Sequence, residues 1–472
     1  MLSKRVIATL CSLIFIVNAC LSQKKPNILF VLCDDLGYGD LGPYGNKINR
    51  TPEIDKLAQR GIMFTDFYAA SGLCTPSRAA FMTGCYPIRI GMDMNFRGEC
   101  VCFPVDEMGL NPKEITIAEL MKQKNYRTAL IGKWHLGDQK EFLPTKQGFD
   151  YYFGVPYSND TPPDFNWKMH HHIYRIPEIP LVRNERVIEA PVIQETITER
   201  YTNETIKFIK ESKGNPFFIV LAHMMPHSPL NPGKAFKGKS ANGLLGDAVE
   251  EIDWSLGKII QTLKELKILE NTIVVFTSDN GAPTLPKERS NLPLSGYKGT
   301  CDEGGMRVPM IISWPGKIPQ GAKCHELATM MDFYQTFGNV IGAKIPQDRI
   351  IDGYDISDLF YKPETSKSPY PYFAYYVLDQ LQAIRSGNWK LHLPLDGKKS
   401  FSDTKTPPAP LKLYDLGNDV AEKNNVAEAN PRVVERLQIL SNVATNWIGN
   451  GTMLTPNSRP AGYVPNPIPL EK

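Results

Sequence analysis

No stretch of this chain reaches the roughly twenty consecutive apolar residues that a membrane-spanning helix needs, which excludes an anchor of that kind. A dominant charge is missing too. The 53 basic residues barely exceed the 50 acidic ones, for a formal net charge of +3. Without a leading segment that carries Lys4 and Arg5, 51 basic residues would face 50 acidic ones, so there is no global electrostatic pull toward nucleic acid. The nine cysteines show no metal-ligand spacing, and Cys100-x-Cys102 is too tight for a zinc knuckle. Internal repeats are absent, which excludes repeat architectures. Histidine is scarce, with eight in 472 residues, so each one placed beside other polar residues carries weight.

What is present describes a globular α/β protein. Hydrophobic residues make up 42% and charged residues 22%, ordinary for a packed fold, and the length suits one large domain plus a smaller one. The 38 prolines and 36 glycines predict many loops over a rigid scaffold, where functional sites concentrate. Continuous apolar runs at Asn27 to Cys33, Arg127 to Ile131, Phe217 to Leu221 and Thr272 to Thr277 read as strands buried on both faces. Helical patterns lie between them at Thr51 to Gln59, Thr116 to Lys124, Glu195 to Glu211 and Leu244 to Leu266. That alternation predicts a mostly parallel sheet sandwiched by helices. In such folds ligands bind beyond the carboxyl ends of the strands. Asp34-Asp35 follow the first strand, Lys133 and His135 the second, His227 the third and Asp279-Asn280 the fourth. Residues scattered over more than 240 positions should therefore converge on one edge.

Lys4-Arg5 and the apolar run Val6 to Val17 read as a signal peptide over residues 1–20. Val17-Asn18-Ala19-Cys20 resembles a bacterial lipoprotein box, so export to the periplasm, or anchoring at the outer membrane through a lipid on Cys20, is expected. Residues 24–355 are assigned to the catalytic domain and 356–472 to a smaller α+β subdomain. In the latter, Ala383 to Leu393 predicts a hairpin turning at Ser386-Gly387-Asn388, Leu411 to Asp415 a further strand, and Pro431 to Ile448 a terminal amphipathic helix. The Pro- and Asn-rich tail from Gly451 to Lys472 is expected on the surface.

The most informative stretch is Cys74-Thr75-Pro76-Ser77-Arg78. Thr75 reads as a helix N-cap, Pro76 as the first helical residue and Gly84 as the stop. Cys74 would then stand just before a helix N-terminus, where the dipole lowers a thiol pKa and favours an anionic ligand. A cysteine, a small residue, Pro, a spacer and Arg is also the pattern that a maturation enzyme reads to make formylglycine.

Around it stand Asp34-Asp35-Leu36-Gly37-Tyr38-Gly39-Asp40, Thr51-Pro52-Glu53, Thr83-Gly84-Cys85-Tyr86-Pro87 and Gly132-Lys133-Trp134-His135-Leu136-Gly137. His227-Ser228-Pro229, Thr277-Ser278-Asp279-Asn280-Gly281, Lys298-Gly299-Thr300 and Glu303-Gly304-Gly305-Met306-Arg307-Val308-Pro309 follow in order. This order resembles the type I, formylglycine-dependent sulfatases of the alkaline phosphatase superfamily over nearly the whole chain. Pro156-Tyr157-Ser158-Asn159-Asp160 adds a likeness to the arylsulfatase A and N-acetylgalactosamine-6-sulfatase group.

The resemblance implies hydrolysis of sulfate esters on carbohydrates, with galactose or N-acetylgalactosamine sulfates as the expected substrates. Cys74, as formylglycine, would be the nucleophile. Its hydrate would attack sulfur, and its second hydroxyl would then expel the sulfate. Asp34, Asp35, Asp279, Asn280 and residue 74 would hold Ca²⁺, with Mg²⁺ the alternative. These are hard oxygen ligands that do not suit zinc. Arg78 would hold the hydrated aldehyde, and Lys133 and Lys298 would neutralise sulfate oxygens. His227 would protonate the leaving alcohol and His135 would remove a proton from the sulfated intermediate. Asn95, Arg97, Asn159 and Asp160 are the candidate sugar contacts. His223 and the run His170-His171-His172 read as loop residues. Expected partners are a sulfated saccharide and the maturation enzyme, with no nucleic acid.

Two rivals remain at this stage. A phosphoester hydrolase of the same superfamily needs ligands for a second metal, where this chain has Lys133, His135 and Lys298. A sulfoglycan-binding protein without catalysis would not need a complete site with Cys74.

Overall fold

The structure, a computed structural model, describes residues 25–161, 177–212, 214–394, 397–399, 405–406 and 408–471. The expected signal peptide, Cys20 and the His170-His171-His172 run lie outside them. At its centre, five parallel strands run in the order Thr272–Ser278, Asn27–Cys33, Phe217–Ala222, Arg127–Gly132, Tyr151–Gly154. Met310–Ser313, Ile62–Phe64 and Ala322–Cys324 extend the sheet on one side, and Leu181–Arg183 and Arg186–Glu189 on the other, making ten strands. Antiparallel pairings are confined to these flanks. The predicted strands are all present, three of them one residue longer than the apolar run.

Every residue of Asn27–Cys33 is buried because both faces are covered. Alternate side chains of a strand point to opposite faces, and this one feeds two cores. Ile28, Phe30 and Leu32 join one cluster with Ala79, Phe81 and Phe333. Leu29 and Val31 join another with the helices Pro52–Gln59, Ile197–Glu211 and Gly243–Glu265. Phe81 stacks on Phe30 with ring centroids 4.2 Å apart, which seats the Cys74 helix directly on the central strand.

That helix runs Cys74–Thr83 and is buried throughout. It starts earlier than its sequence suggests. Extended Leu73 precedes it, Cys74 is its first residue, and Thr75 caps nothing. The Thr75 hydroxyl instead donates to the His135 carbonyl (2.8 Å) and accepts from the Cys102 N–H (3.1 Å), so tertiary bonds override its local capping preference. Gly84 does end the helix, at φ 71°, where a Cβ would lie 2.7 Å from the Tyr334 side chain.

The C-terminal part forms the expected antiparallel sheet, in the order Phe373–Val377, Gln380–Ser386, Trp389–His392, Lys412–Asp415, with the helix Pro431–Ile448 packed on it. Its core is shared with the large domain: Phe373, Tyr375, Ile384 and Leu391 cluster with Tyr68, Leu73, Ala80 and Tyr86. The tail lies on the surface, as expected, but it is tied down there. Gly462–Tyr463 pairs with Met108–Gly109, Arg459 bridges Glu114 at 2.7 Å, and Leu470 is buried. Composition marked the tail as irregular but could not show that it docks back on the large domain.

Just past the Cys74 helix, Arg89 makes a two-pronged ion pair with Asp352, both contacts 2.7 Å, and Asp352 also accepts from the Tyr86 N–H at 2.9 Å. Both side chains are buried. Asp352→Ala should lower stability by about 3–5 kcal/mol, because a buried guanidinium loses its partner. A urea midpoint within error of the parent protein would refute this.

Candidate active site

The predicted convergence occurs at the carboxyl edge of the central strands. Asp34 and Asp35, Lys133 and His135, His227, and Asp279 and Asn280 all meet there, and Cys74 and Arg78 enter from the helix N-terminus. Gly132 makes the turn before Lys133. Its φ is 125°, and a Cβ there would sit 1.8 Å from the Ala222 carbonyl oxygen, so no larger residue fits. Asp35 and His135 also hold positive φ, 61° and 63°. Neither is glycine, and left-handed backbone at such residues is strain of about 1–3 kcal/mol that the surroundings must hold in place.

Asp34 lies at the centre. One carboxylate oxygen is 3.3 Å from Cys74 Sγ and the other accepts from Lys133 Nζ at 2.6 Å. Asp35 accepts from Asn280 Nδ2 at 2.7 Å, and Lys298 Nζ lies 2.8 Å from one of its oxygens and 3.0 Å from the other. Arg78 donates from Nε to Asp279 (2.9 Å) and from Nη1 to the Lys133 carbonyl (2.8 Å). Three carboxylates thus face three cations with almost no solvent.

Burial works to raise both Asp34 and Asp35, but Lys133, His227 and Arg78 hold the first well below the usual range, and Lys298 and His227 lower the second. Asp279 goes the other way: burial and Asp34 carry it up to about 6. The Cys74 thiol is pushed well above its ordinary value by burial and then by Asp279 and Asp34. This corrects the expectation of an activated thiolate. The helix N-terminus is present, but enclosure beside two carboxylates outweighs it.

His135 Nε2 faces the Cys102 carbonyl at 3.0 Å, while its Nδ1 is buried with no hydrogen-bond partner. Burial, Lys133 and Arg78 hold it neutral. His227 Nδ1 faces the Ser228 carbonyl (2.5 Å) and Asn159 Oδ1 (3.1 Å), which makes Nδ1 the N–H donor and leaves Nε2 toward Asp35, 3.6 Å away. Burial and Lys298 lower its pKa.

The residues fit a hard cation. Ligand atoms of Asp34, Asp35, Cys74 and His227 lie within 4.8 Å of one another. Beside them Asn280 Oδ1 is buried with no hydrogen-bond partner, an acceptor that a cation would satisfy. With a divalent ion added to three carboxylates and three cationic side chains, the site would carry an excess of positive charge and suit an anionic ester.

The four candidate sugar contacts sit differently. The Asn95 amide is bonded to Asp106 at 2.9 Å, and Arg97 pairs with Asp106 and Glu107, so both organise their own loop. Asn159 orients His227, and Asp160 is half-buried beside it. His223 is fully buried, with Nε2 3.5 Å from the Ser255 hydroxyl. Arg289 escaped the sequence reading, since it stands in an irregular loop without a motif. Its guanidinium donates to the Asp35 carbonyl (2.9 Å) and to the Pro226 carbonyl, joining the strained aspartate to the His227 segment. Among the described residues Cys33, Cys74, Cys85, Cys102, Cys301 and Cys324 are free thiols.

A family model described as Sulfatase matches residues 26–343. The chain belongs to the sulfatase family. A second model, N-sulphoglucosamine sulphohydrolase, C-terminal, matches residues 298–442 of this sulfatase. It is 40% identical to the N-acetylgalactosamine-6-sulfatase of Rattus norvegicus, over 79% of this chain and 72% of the relative. Identity to the steryl-sulfatase of Homo sapiens is 34%, covering 90% and 88%, and to human arylsulfatase A 37%, covering 88% and 87%. Among solved structures, Ps i-CgsB in complex with k-i-k-neocarrahexaose is similar at 31% identity and a TM-score of 0.74, covering 90% of this chain and 94% of that one. The protein is a sulfuric ester hydrolase. Among its described residues no helix is long and apolar enough to cross a membrane.

Proposed function

We propose that this sulfatase hydrolyses sulfate esters of glycans, using formylglycine made from Cys74 and a Ca²⁺ ion held by Asp34, Asp35, Asp279, Asn280 and residue 74. The observation that carries the reading is the buried cluster of Asp34, Asp35, Cys74 and His227 beside the unpartnered Oδ1 of Asn280. When present, the ion supplies Lewis-acid stabilisation, and the modified side chain supplies a carbon able to bear two oxygens, one to attack sulfur and one to expel the sulfate.

The remaining work falls to side chains already in place. Arg78, fixed by Asp279 and the Lys133 carbonyl, holds residue 74 from the helix side. Lys133 and Lys298 meet the sulfate oxygens as charge develops. His227 would act as the imidazolium, giving its Nε2 proton to the leaving alcohol while the Nδ1 proton stays bonded to Ser228 and Asn159. His135 accepts a proton at its free Nδ1. Arg97 and Asp160 are candidate contacts to the sugar beyond the sulfate, with Asn95 shaping that loop. Glycans are favoured because a relative is named for N-acetylgalactosamine 6-sulfate and a similar structure holds a neocarrahexaose. Galactose and N-acetylgalactosamine sulfates are the first choice. Export through a signal peptide, with a lipid on Cys20, completes the proposal.

One experiment tests substrate and ion together. Protein stripped with EDTA should be inactive, and Ca²⁺ should restore it better than Mg²⁺ or Zn²⁺. The restored enzyme should prefer sulfated sugars of defined position over a steroid sulfate, and aryl sulfate over aryl phosphate. Restoration by Zn²⁺ alone would sink the metal assignment. A preference for the steroid sulfate would sink the glycan reading.

A further inference from the structure

Lys298 reaches Asp35 from a loop whose two ends are gripped by the C-terminal subdomain. A single oxygen of the Glu422 carboxylate accepts from the Ser295 hydroxyl (2.9 Å), before Lys298, and from the Glu303 backbone N–H (2.7 Å), after it. The other Glu422 oxygen is 2.8 Å from His392 Nε2 and 2.9 Å from Lys390 Nζ. Lys390 also donates to the Cys301 carbonyl (2.7 Å) and to the Glu303 carboxylate (2.9 Å), so it holds the same loop at a third point. The ends are further joined by the Gly304 N–H to the Ser295 carbonyl at 2.6 Å. Between them the Lys298 N–H donates to the Ala282 carbonyl (3.1 Å) and the Gly299 N–H to the Gly72 carbonyl (2.9 Å), two residues before Cys74. Gly296 and Gly299 hold φ of 78° and 83°, so the loop has conformations to lose if its ends are released.

We propose that Glu422, braced by Lys390 and His392, is a positioning residue that acts through Lys298 by clamping both ends of its loop. The inference rests on Lys298 serving the sulfate ester as set out above. Asp302, His392 and Glu422 also lie close enough together to suggest a second metal site. The Lys390 ammonium already neutralises that cluster, however, and with Glu303 and Arg307 it forms a complete buried charge network. Glu422 is held ionised, since Lys390 and His392 overcome the burial that would protonate it. A displaced charge costs a reaction far more than it costs a fold, because misplacement by about 1 Å can lower a rate about 100-fold.

The test is a double-mutant cycle on kcat and KM for a sulfate ester, using Glu422→Ala, Lys298→Ala and their combination. Glu422→Ala should lower kcat/KM by about 10–100-fold in the parent. In the Lys298→Ala background the same change should cost less than about threefold, since there is no lysine left to place. If Glu422→Ala does not fold, Ser295→Ala replaces it, with an expected loss of about 3–10-fold that again vanishes without Lys298. Equal losses in both backgrounds, or no loss in the parent, would overturn the clamp and leave the proposed function intact. Full activity of Lys298→Ala would overturn both.

Discussion

Cys74→Ala should fold and lose sulfatase activity by about 10⁴-fold or more, the scale of loss when a covalent nucleophile is removed and only binding and electrostatics remain. Folding should survive because the change removes one hydrogen bond, the 3.3 Å approach of Sγ to Asp34, while the helix start at Leu73 and the Phe81 stack on Phe30 are untouched. Chemistry should not survive. An unmodified cysteine could take up the sulfate but has no second hydroxyl with which to expel it. Mass spectrometry of the peptide bearing residue 74, made in a host with maturation machinery, should show the aldehyde or its hydrate. The converted fraction should scale with specific activity across preparations. A fully active preparation with an intact thiol would end the formylglycine proposal.

His227→Ala should slow sugar sulfates by about 10²–10⁴-fold, the usual worth of a positioned general acid. Activated aryl sulfates should lose far less, because a good leaving group needs little protonation. The geometry makes the contrast sharp. Nδ1 is committed to Ser228 and Asn159, so Nε2 is the atom left to serve the leaving oxygen. Asn159→Ala, which removes one of the two Nδ1 partners and leaves the Ser228 carbonyl, should show the same pattern at smaller size. Equal losses on both ester classes, read from kcat/KM, would remove His227 from this position in the mechanism.

The core strands and most of the acidic and basic candidates were legible because they are short-range features. An apolar run seven residues long, followed at once by Asp34-Asp35 or Asp279-Asn280, places those carboxylates at a strand end whatever else the chain does. Thr75 and Cys74 show where local rules stop. Capping preference pointed to Thr75 and dipole logic to a lowered thiol pKa, yet bonds to His135 and Cys102 and enclosure by Asp34 and Asp279 reversed both. Asn95 and Asn159 look alike in the sequence, but in the fold one ties down its own loop and the other orients His227, whatever each adds toward a sugar.

By itself the amino-acid sequence determined the alternation of buried strands and amphipathic helices, and with it the edge where ligands must bind. It also determined the family, because motif order survives without knowledge of distance. Only the tertiary structure decided which partner each charge finds: Lys133 with Asp34, Lys298 with Asp35, Arg289 across to Pro226, Glu422 beneath both ends of the Lys298 loop. Periodicity and propensity act over a few residues and leave a mark in the chain. Pairing among buried charges is set by which side chains are enclosed together, and residues 127 or 254 positions apart carry no local trace of it.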